Sequence, residues 1–353
     1  MAEPVFRLLA SAALLALSAL PVAPAWAEKE PTDDAPPPPD QATEVMELDA
    51  LDPDPEPDAG SPLRRGKKPG WALGERANDN YVLLWFRAQT RWSYPFDSDP
   101  LTVSAIQKAP GADLDLRRAR FKAKGHVFDP RIGFYYEQEL SGERPLLDLR
   151  LDLDLGRDWR LRAGQFKVLY NRERVDSSGK QQFVERSIAN YAFTLDRQRG
   201  FNLYKGVGQG RLLNSVLLVG VLEGDGRDPG QRGDDPMLMA RWQWEFLGRP
   251  APFSQGDFEF SPEAVGSFSL AAARVRGPYT RFSTAGGGQL DGFDTGGDDR
   301  YTLEQWQQGF AWKHRGWSVQ QEYHEKRIED HETGRRSMLR GGYAQVGKAW
   351  PLA

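Results

Sequence analysis

Leu116-Arg-Arg-Ala-Arg-Phe-Lys-Ala-Lys-Gly-His-Val127 is the segment of this chain whose side chains are best spaced to do chemistry. Read as a strand, it sets Arg118, Arg120, Lys122 and Lys124 on one face and Ala119, Phe121, Ala123, Gly125 and Val127 on the other. Cations at every second residue stand about 6.6 Å apart. Such a row can replace an anion's hydration with charge-assisted hydrogen bonds. Arg117 breaks the alternation beside Arg118, which predicts either a bulge or a strand that begins later. The competing use of the row is structural, with the cations neutralised by carboxylates such as Glu137 and Glu139.

Other reactive groups are poorly arranged. His324 and His331 are seven residues apart with no evident third ligand, so no metal site is expected. Gly224-Asp-Gly-Arg-Asp228 and Gly233-Asp-Asp235 lack the ligand pattern and closing Glu of a calcium loop, and read as exposed turns. Gly286-Gly-Gly288 follows no strand-to-helix pattern that could cradle phosphate and reads as loop slack. The serines sit in no nucleophile elbow, and the histidines have no Ser or Asp partner by spacing. Cysteine is absent, which removes thiol catalysis and thiolate metal sites together.

The elements that position the basic row are strands. Leu147, Leu149, Leu151, Leu153 and Leu155 alternate with Asp148, Arg150, Asp152 and Asp154, a period of two that no helix explains. Leu238, Ala240, Trp242, Trp244 and Phe246 alternate in the same way with Met239, Arg241, Gln243 and Glu245. The same parity runs through 306–312 and 317–323, and further strands are expected at 81–92, 116–127, 132–140, 159–168, 200–205, 211–222, 266–275 and 339–348. That is about a dozen strands near the length that crosses an outer membrane. Asp129-Pro130, Gly156-Arg157-Asp158 and His314-Arg315-Gly316 read as tight turns, whereas 169–199, 223–236, 248–265 and 277–300 read as long loops. Short turns at one end and long loops at the other suit an outer-membrane barrel. Trp92, Trp159, Trp306 and Trp317 at strand ends suggest aromatic girdles. A soluble sandwich alternates too, but needs no such girdle.

Regional composition supports export. Residues 1–27 read as a signal peptide, with Arg7, the apolar stretch Leu8–Leu20 and the Ala25-Trp26-Ala27 cleavage site. Glu28–Pro62 holds nine prolines and twelve acidic residues against one base, Lys29. Such a composition cannot offset its ordering entropy by burial, so 28–77 is expected to be a disordered tether ending in the basic cluster Arg64, Arg65, Lys67 and Lys68. From Pro69 onward 40 bases face 37 acids, so the remaining 78–353 domain is mildly basic although the whole chain carries −4. A mildly basic lumen attracts anions. No stretch of the mature chain approaches the roughly 18 apolar residues of a membrane helix.

These residues resemble the phosphate-selective porin O and P family. The resemblance rests on Leu116-Arg-Arg-Ala-Arg120 with Gly125, Gly164-Gln-Phe-Lys-Val168, Ser177-Ser178, Phe183-Val-Glu-Arg-Ser187 and Asp196-Arg-Gln-Arg-Gly-Phe201. It continues through Trp317-Ser-Val-Gln-Gln-Glu-Tyr323 and Gly342-Tyr-Ala-Gln-Val-Gly347. It implies an all-β, antiparallel transmembrane barrel of about sixteen strands, trimeric, narrowed by an inward-folded loop and passing phosphate or other anions. By position, Arg117 and Arg118 match the paired arginines of the family's anion ladder, Lys167 lies in the Gly-Gln-Phe-Lys motif, and Arg186, Arg197 and Arg199 fall in the matching loop region. Three departures stand out: Leu169 replaces the usual proline after Val168, the acidic tether is atypical, and Pro351-Leu-Ala353 ends without a terminal aromatic strand, which reads as truncation.

The expected function is passive diffusion of anions, with phosphate or polyphosphate as the expected substrates, through a lumen lined by Arg117, Arg118, Arg120, Lys122, Lys124, Lys167, Arg186, Arg197 and Arg199. The expected setting is the outer membrane of a Gram-negative bacterium, as a homotrimer among lipid and lipopolysaccharide. No cofactor, metal or nucleic-acid partner is expected. The alternatives are an outer-membrane barrel hydrolase, with a His, an acid and a nucleophile meeting at one rim, or a non-conducting barrel fragment.

Overall fold

The computed structural model describes residues 71–74, 79–94, 113–141, 145–208, 213–227, 235–283, 286–295, 297 and 299–350. The signal peptide, the acidic segment, its basic end and Pro351–Ala353 lie outside the described residues. The elements run β1 (Trp71–Leu73), β2 (Tyr81–Ser93), β3 (Asp113–His126), β4 (Ile132–Glu139), β5 (Leu146–Gly156), β6 (Trp159–Lys167), α1 (Arg172–Val175), α2 (Ile188–Phe193) and β7 (Arg197–Val207). They continue as β8 (Ser215–Leu222), β9 (Met237–Trp244), β10 (Val265–Gly277), β11 (Arg281–Ser283), β12 (Gly286–Gly288), β13 (Tyr301–His314), β14 (Trp317–Asp330) and β15 (Arg336–Lys348). Every strand expected from the period of two is present. β1 adds one inside the stretch assigned to the tether, by pairing Trp71 with Leu84 and Leu73 with Val82.

Thirteen strands form one antiparallel sheet in the order β1 to β10, then β13, β14 and β15, while β11 and β12 pair apart as a small hairpin. Each strand of the main sheet is bonded to its neighbour in sequence, as in a meander. Two of the tight turns have a clear cause. Arg157 and Asp158 both take positive φ, as do Arg315 and Gly316. Two left-handed residues in succession make the two-residue hairpin turn whose twist matches the strands.

The sheet is polar inside and apolar outside. On β5, Leu149 is 52% and Leu151 48% exposed, whereas Asp148 and Arg150 are buried. Phe86, Phe201, Val221, Leu238 and Val346 share the exposed outer face. A soluble domain has the opposite polarity, and an outer face of this kind suits contact with lipid. Trp92 and Trp317 stand exposed at strand ends, as expected of girdle residues. Trp159 does not: it is buried, with the Lys205 ammonium 5.2 Å from its ring. Trp306 lies within β13 because that strand begins five residues earlier, at Tyr301.

The inner face is occupied by the segment between β6 and β7. Val168, Leu169, Tyr170, Val175 and Leu195 join Phe166, Leu218, Met237, Met239, Ala271, Tyr301 and Ile328 in one apolar cluster. Leu169, at the position where the family resemblance anticipates proline, serves as a core residue. The segment's backbone is satisfied by side chains from distant strands. Glu322 accepts from the N–H groups of Arg172 and Glu173, Arg241 donates to the Tyr170 carbonyl at 2.7 Å, and Gln305 donates to that of Phe193 at 3.0 Å. Buried backbone groups need such partners, so these contacts dictate where the segment lies.

Two expectations about glycine-rich turns are corrected. Asp225, Gly226 and Arg227 are buried rather than exposed, because the Gly226 N–H donates to Gln198 and Arg227 donates to the Leu146 carbonyl. Gly286–Gly288 is β12 rather than slack, and a Cβ on Gly287 would lie 2.3 Å from the Tyr279 ring, so only glycine fits. In the Gly-Gln-Phe-Lys motif, Gly164 has φ +120° and a Cβ there would meet the Leu149 carbonyl oxygen at 2.2 Å. That close approach of backbones explains the glycine.

Candidate anion pathway

Between β3 and the inward segment 168–196 lies a cavity of about 230 Å³. Eight cations line it: Arg117, Arg118, Arg120, Lys122, Lys167, Arg174, Arg186 and Arg197, with Glu139, Ser141, Ser177 and Ser178. β3 supplies four of the cations because of one irregularity. Gln89 pairs with Arg118 and Arg91 with Asp115, so β3 spends three residues where β2 spends two. The extra residue lets Arg117 and Arg118 face the cavity together.

The two readings of the basic row divide along the strand. Arg120 donates to Glu137 and Glu139, each at 2.8 Å, and Lys122 lies 3.3 Å from Glu137 while donating to the Tyr135 hydroxyl at 3.0 Å. These two are held structurally. Arg117 lies 3.6 Å from Glu185. Arg118 makes no hydrogen bond or ion pair with any of the described residues, so its guanidinium faces the cavity with its donors unused.

The loop side repeats this division. Arg197 is fully buried, 2.7 Å from Asp148 and 3.6 Å from Glu137. The Lys167 backbone N–H donates to Asp148 at 3.1 Å. Arg186 instead donates to two carbonyls, of Glu173 and Asp176, each at 2.9 Å. It forms no ion pair among the described residues, so its charge is left for the cavity. Burial first, and then Arg174, lower the Arg186 guanidinium to about 9, against the pull of Glu173 and Asp196.

Two of the nine expected residues lie elsewhere. Lys124 is half-buried farther along β3 and is not part of the cavity wall. Arg199 is not part of the cavity wall and pairs with Glu223 at 2.5 Å. Conversely, the structure adds Arg174, which donates to Asp196 at 2.5 and 2.7 Å, and Arg87 on β2. Arg87 donates to the hydroxyl oxygens of Ser177 at 3.2 Å and Ser178 at 2.9 Å. A hydroxyl that accepts on its oxygen keeps its proton to donate, so both serines can offer hydrogen bonds to an anion. Arg87 shares parity with Gln89 and Arg91, the only sequence signal that could have found it.

Asp176, next to the cavity-lining Ser177, makes no ion pair with any of the described residues. Both of its carboxylate oxygens are buried and unbonded among the described residues. Burial raises it to about 6 against the pull of Arg172, Lys313 and Arg186, while Glu322 pushes it further up. Its ionised form is the penalised one, so protonation adds stability as pH falls through about 6 and is complete below the ordinary Asp range near 4. Loss of that negative charge also makes the cavity more positive. The anion preference of the channel should therefore strengthen between pH 7.5 and 5, read as the zero-current potential across a KCl gradient. Asp176→Asn should fix the preference at its low-pH value.

Thr302 Oγ1 and His331 Nε2 are 2.8 Å apart, but no carboxylate among the described residues bonds the other His331 nitrogen to complete a triad. His324 lies inside, stacked on Phe193 at 5.1 Å.

An antiparallel meander that is apolar outside, with a basic, loop-narrowed interior, defines a porin-type protein that conducts anions. The family model for phosphate-selective porin O and P matches residues 104–348, and the chain belongs to that family. Its place is accordingly the outer membrane of a Gram-negative bacterium, and its class that of channels rather than enzymes. Among solved structures, the chain is similar to the outer membrane protein OmpT of Vibrio cholerae, described in a trimer form, with 9% identity, TM-score 0.35, and coverage of 75% of this chain and 83% of that one. It is also similar to the outer membrane channel DcaP of Acinetobacter baumannii, with 12% identity, TM-score 0.31, and coverage of 75% and 97%. A search among curated proteins finds no match.

Proposed function

We propose that the sheet closes into a barrel and that its lumen passes small oxyanions, with phosphate or polyphosphate preferred, by diffusion through the cavity beside β3. The observation that carries this reading is the grouping of two cations not bound to carboxylates among the described residues, Arg118 and Arg186, with two serine hydroxyls whose oxygens accept from Arg87. Guanidinium forks match the spacing of oxyanion oxygens, and hydroxyl donors favour an anion with several acceptors over a spherical halide. The other cavity cations are held by carboxylates or crowded by neighbours, so the bound anion meets a field strong enough to enter and not strong enough to trap it. We read the channel as a homotrimer, the assembly that the family resemblance implies.

The test is planar-bilayer recording of the reconstituted full chain. A tenfold KCl gradient should give an anion-selective zero-current potential, and millimolar phosphate should reduce chloride current. Anion selectivity without phosphate block would leave a general anion porin.

A further inference from the structure

At one end of β10, β13, β14 and β15, the end that carries the inward segment, the outer face of the sheet turns from apolar to charged. Val275, Tyr301, Leu303 and Ile328 belong there to the buried apolar cluster, so the residues between them point outward. Register sets the outward residues in rows. The last row runs Arg276, Thr302, Glu329, Arg336, and the one before it Arg274, Glu304, Arg327. Arg340 faces Glu325 one row deeper, beside Trp306. At the same end β2 and β5 differ: Ala88, Thr90 and Trp92, and Leu149 and Leu151, are exposed and uncharged.

Depth places the charges. Trp317 stands exposed at the opposite end, and Arg327 follows it ten residues along β14. Ten residues span about 33 Å of strand and, at a tilt near 40°, about 25 Å of height. That is the height of the apolar band of an outer-membrane barrel, so the rows stand where hydrocarbon gives way to headgroups. Trp306 and Tyr323, 5.7 Å apart, lie just below them, as an interfacial girdle does.

The two cations of β10 are the least satisfied of this belt. The Arg274 side chain is 59% exposed and lies 3.7 Å from Glu304, beyond hydrogen-bond range. Arg276 gives its Nε to the Asp299 carbonyl at 3.3 Å and makes no ion pair with any of the described residues. Arg327 and Arg340 share Glu325, at 3.8 and 3.1 Å, and Arg336 takes Glu329 at 2.7 Å. Glu304 is thus left alone against both β10 cations, which stand about 6.6 Å apart on one face. Leu238, paired with Arg274, and Ala272, one row deeper, give them an apolar floor.

We infer that this belt binds the phosphates of lipopolysaccharide in the outer leaflet, with Arg274 and Arg276 as the principal ligands. Guanidinium forks take phosphate oxygens in pairs, and lipid A carries its phosphates at the top of its acyl chains. The excess of arginine favours this anionic partner over a second copy of a mildly basic barrel.

The experiment titrates the folded full chain in detergent micelles with lipid A and reads binding by native mass spectrometry. Arg274→Gln/Arg276→Gln should bind lipid A about tenfold more weakly than wild type. Lipid A stripped of its phosphates should bind both chains equally weakly. Inorganic phosphate at about millimolar concentration should not displace intact lipid A, which separates a glycolipid site from a site for the free anion. Glu304→Gln should tighten binding about threefold, a gain that a folding defect cannot imitate. Equal affinity of wild type and the double variant for lipid A overturns the site, as does displacement by inorganic phosphate. A smaller oligomer in the double variant, with lipid A binding unchanged, also overturns it and makes the belt a contact between copies.

Discussion

Arg118→Ser should collapse the anion preference of the channel while leaving its folding intact. The guanidinium makes no hydrogen bond or ion pair with any of the described residues, so its removal strands no carboxylate among them. A unit charge about 6 Å from a permeating anion, at an effective dielectric near 20, contributes about 3 kcal/mol. That corresponds to a fall of roughly a hundredfold in relative anion permeability. Across a tenfold KCl gradient the zero-current potential should move close to zero, and Arg118→Lys should recover most of it. Arg120→Ser makes the useful contrast. Glu137 and Glu139 both lean on Arg120, so that variant should lose stability before it loses selectivity. Equal selectivity in wild type and Arg118→Ser would remove this residue from the pathway.

Glu137→Gln should be among the most destabilising single changes in the sheet. The Glu137 side chain has no exposure, accepts from Arg120 and from the Tyr135 hydroxyl at 2.8 Å each, and lies 3.3 Å from Lys122 and 3.6 Å from Arg197. Three buried cations thus share one carboxylate. Glutamine keeps the volume but leaves Lys122 without this carboxylate, Arg120 with Glu139 alone and Arg197 with Asp148, at a cost of about 3–5 kcal/mol. The readout is the urea midpoint of the protein folded into lipid vesicles, with Glu139→Gln, whose side chain is less completely buried, expected to shift it less.

What the sequence revealed and what it concealed divide by the range of the interactions. Leu147 to Leu155 announce β5 because a pleated strand repeats every two residues, and that pattern survives without knowledge of neighbours. The doubled Arg117-Arg118 likewise signals a bulge locally, since no regular strand puts both on one face. The place of Arg199 was harder to read: β7 begins at Arg197, earlier than its apolar pattern suggests, and strand register sets Arg199 beside Glu223. Arg87, Arg174 and the two serines were illegible as a group. They meet only because an inward segment is fixed by Glu322, Arg241 and Gln305, residues far away in sequence. The sharing of Glu137 among three cations also depends on strand register, which composition does not specify.

The inward segment packs its apolar side, from Val168 to Leu195, against one half of the wall and turns its charged side toward β3. Hydrocarbon therefore backs one flank of the passage where a wide pore would hold a column of water. Mobile counter-ions have little volume there in which to gather, so the potential of Arg118 and Arg186 is poorly screened. The structure thus ties ionic discrimination to a hydrophobic contact: the preference should persist in concentrated salt for as long as the dry flank stays closed.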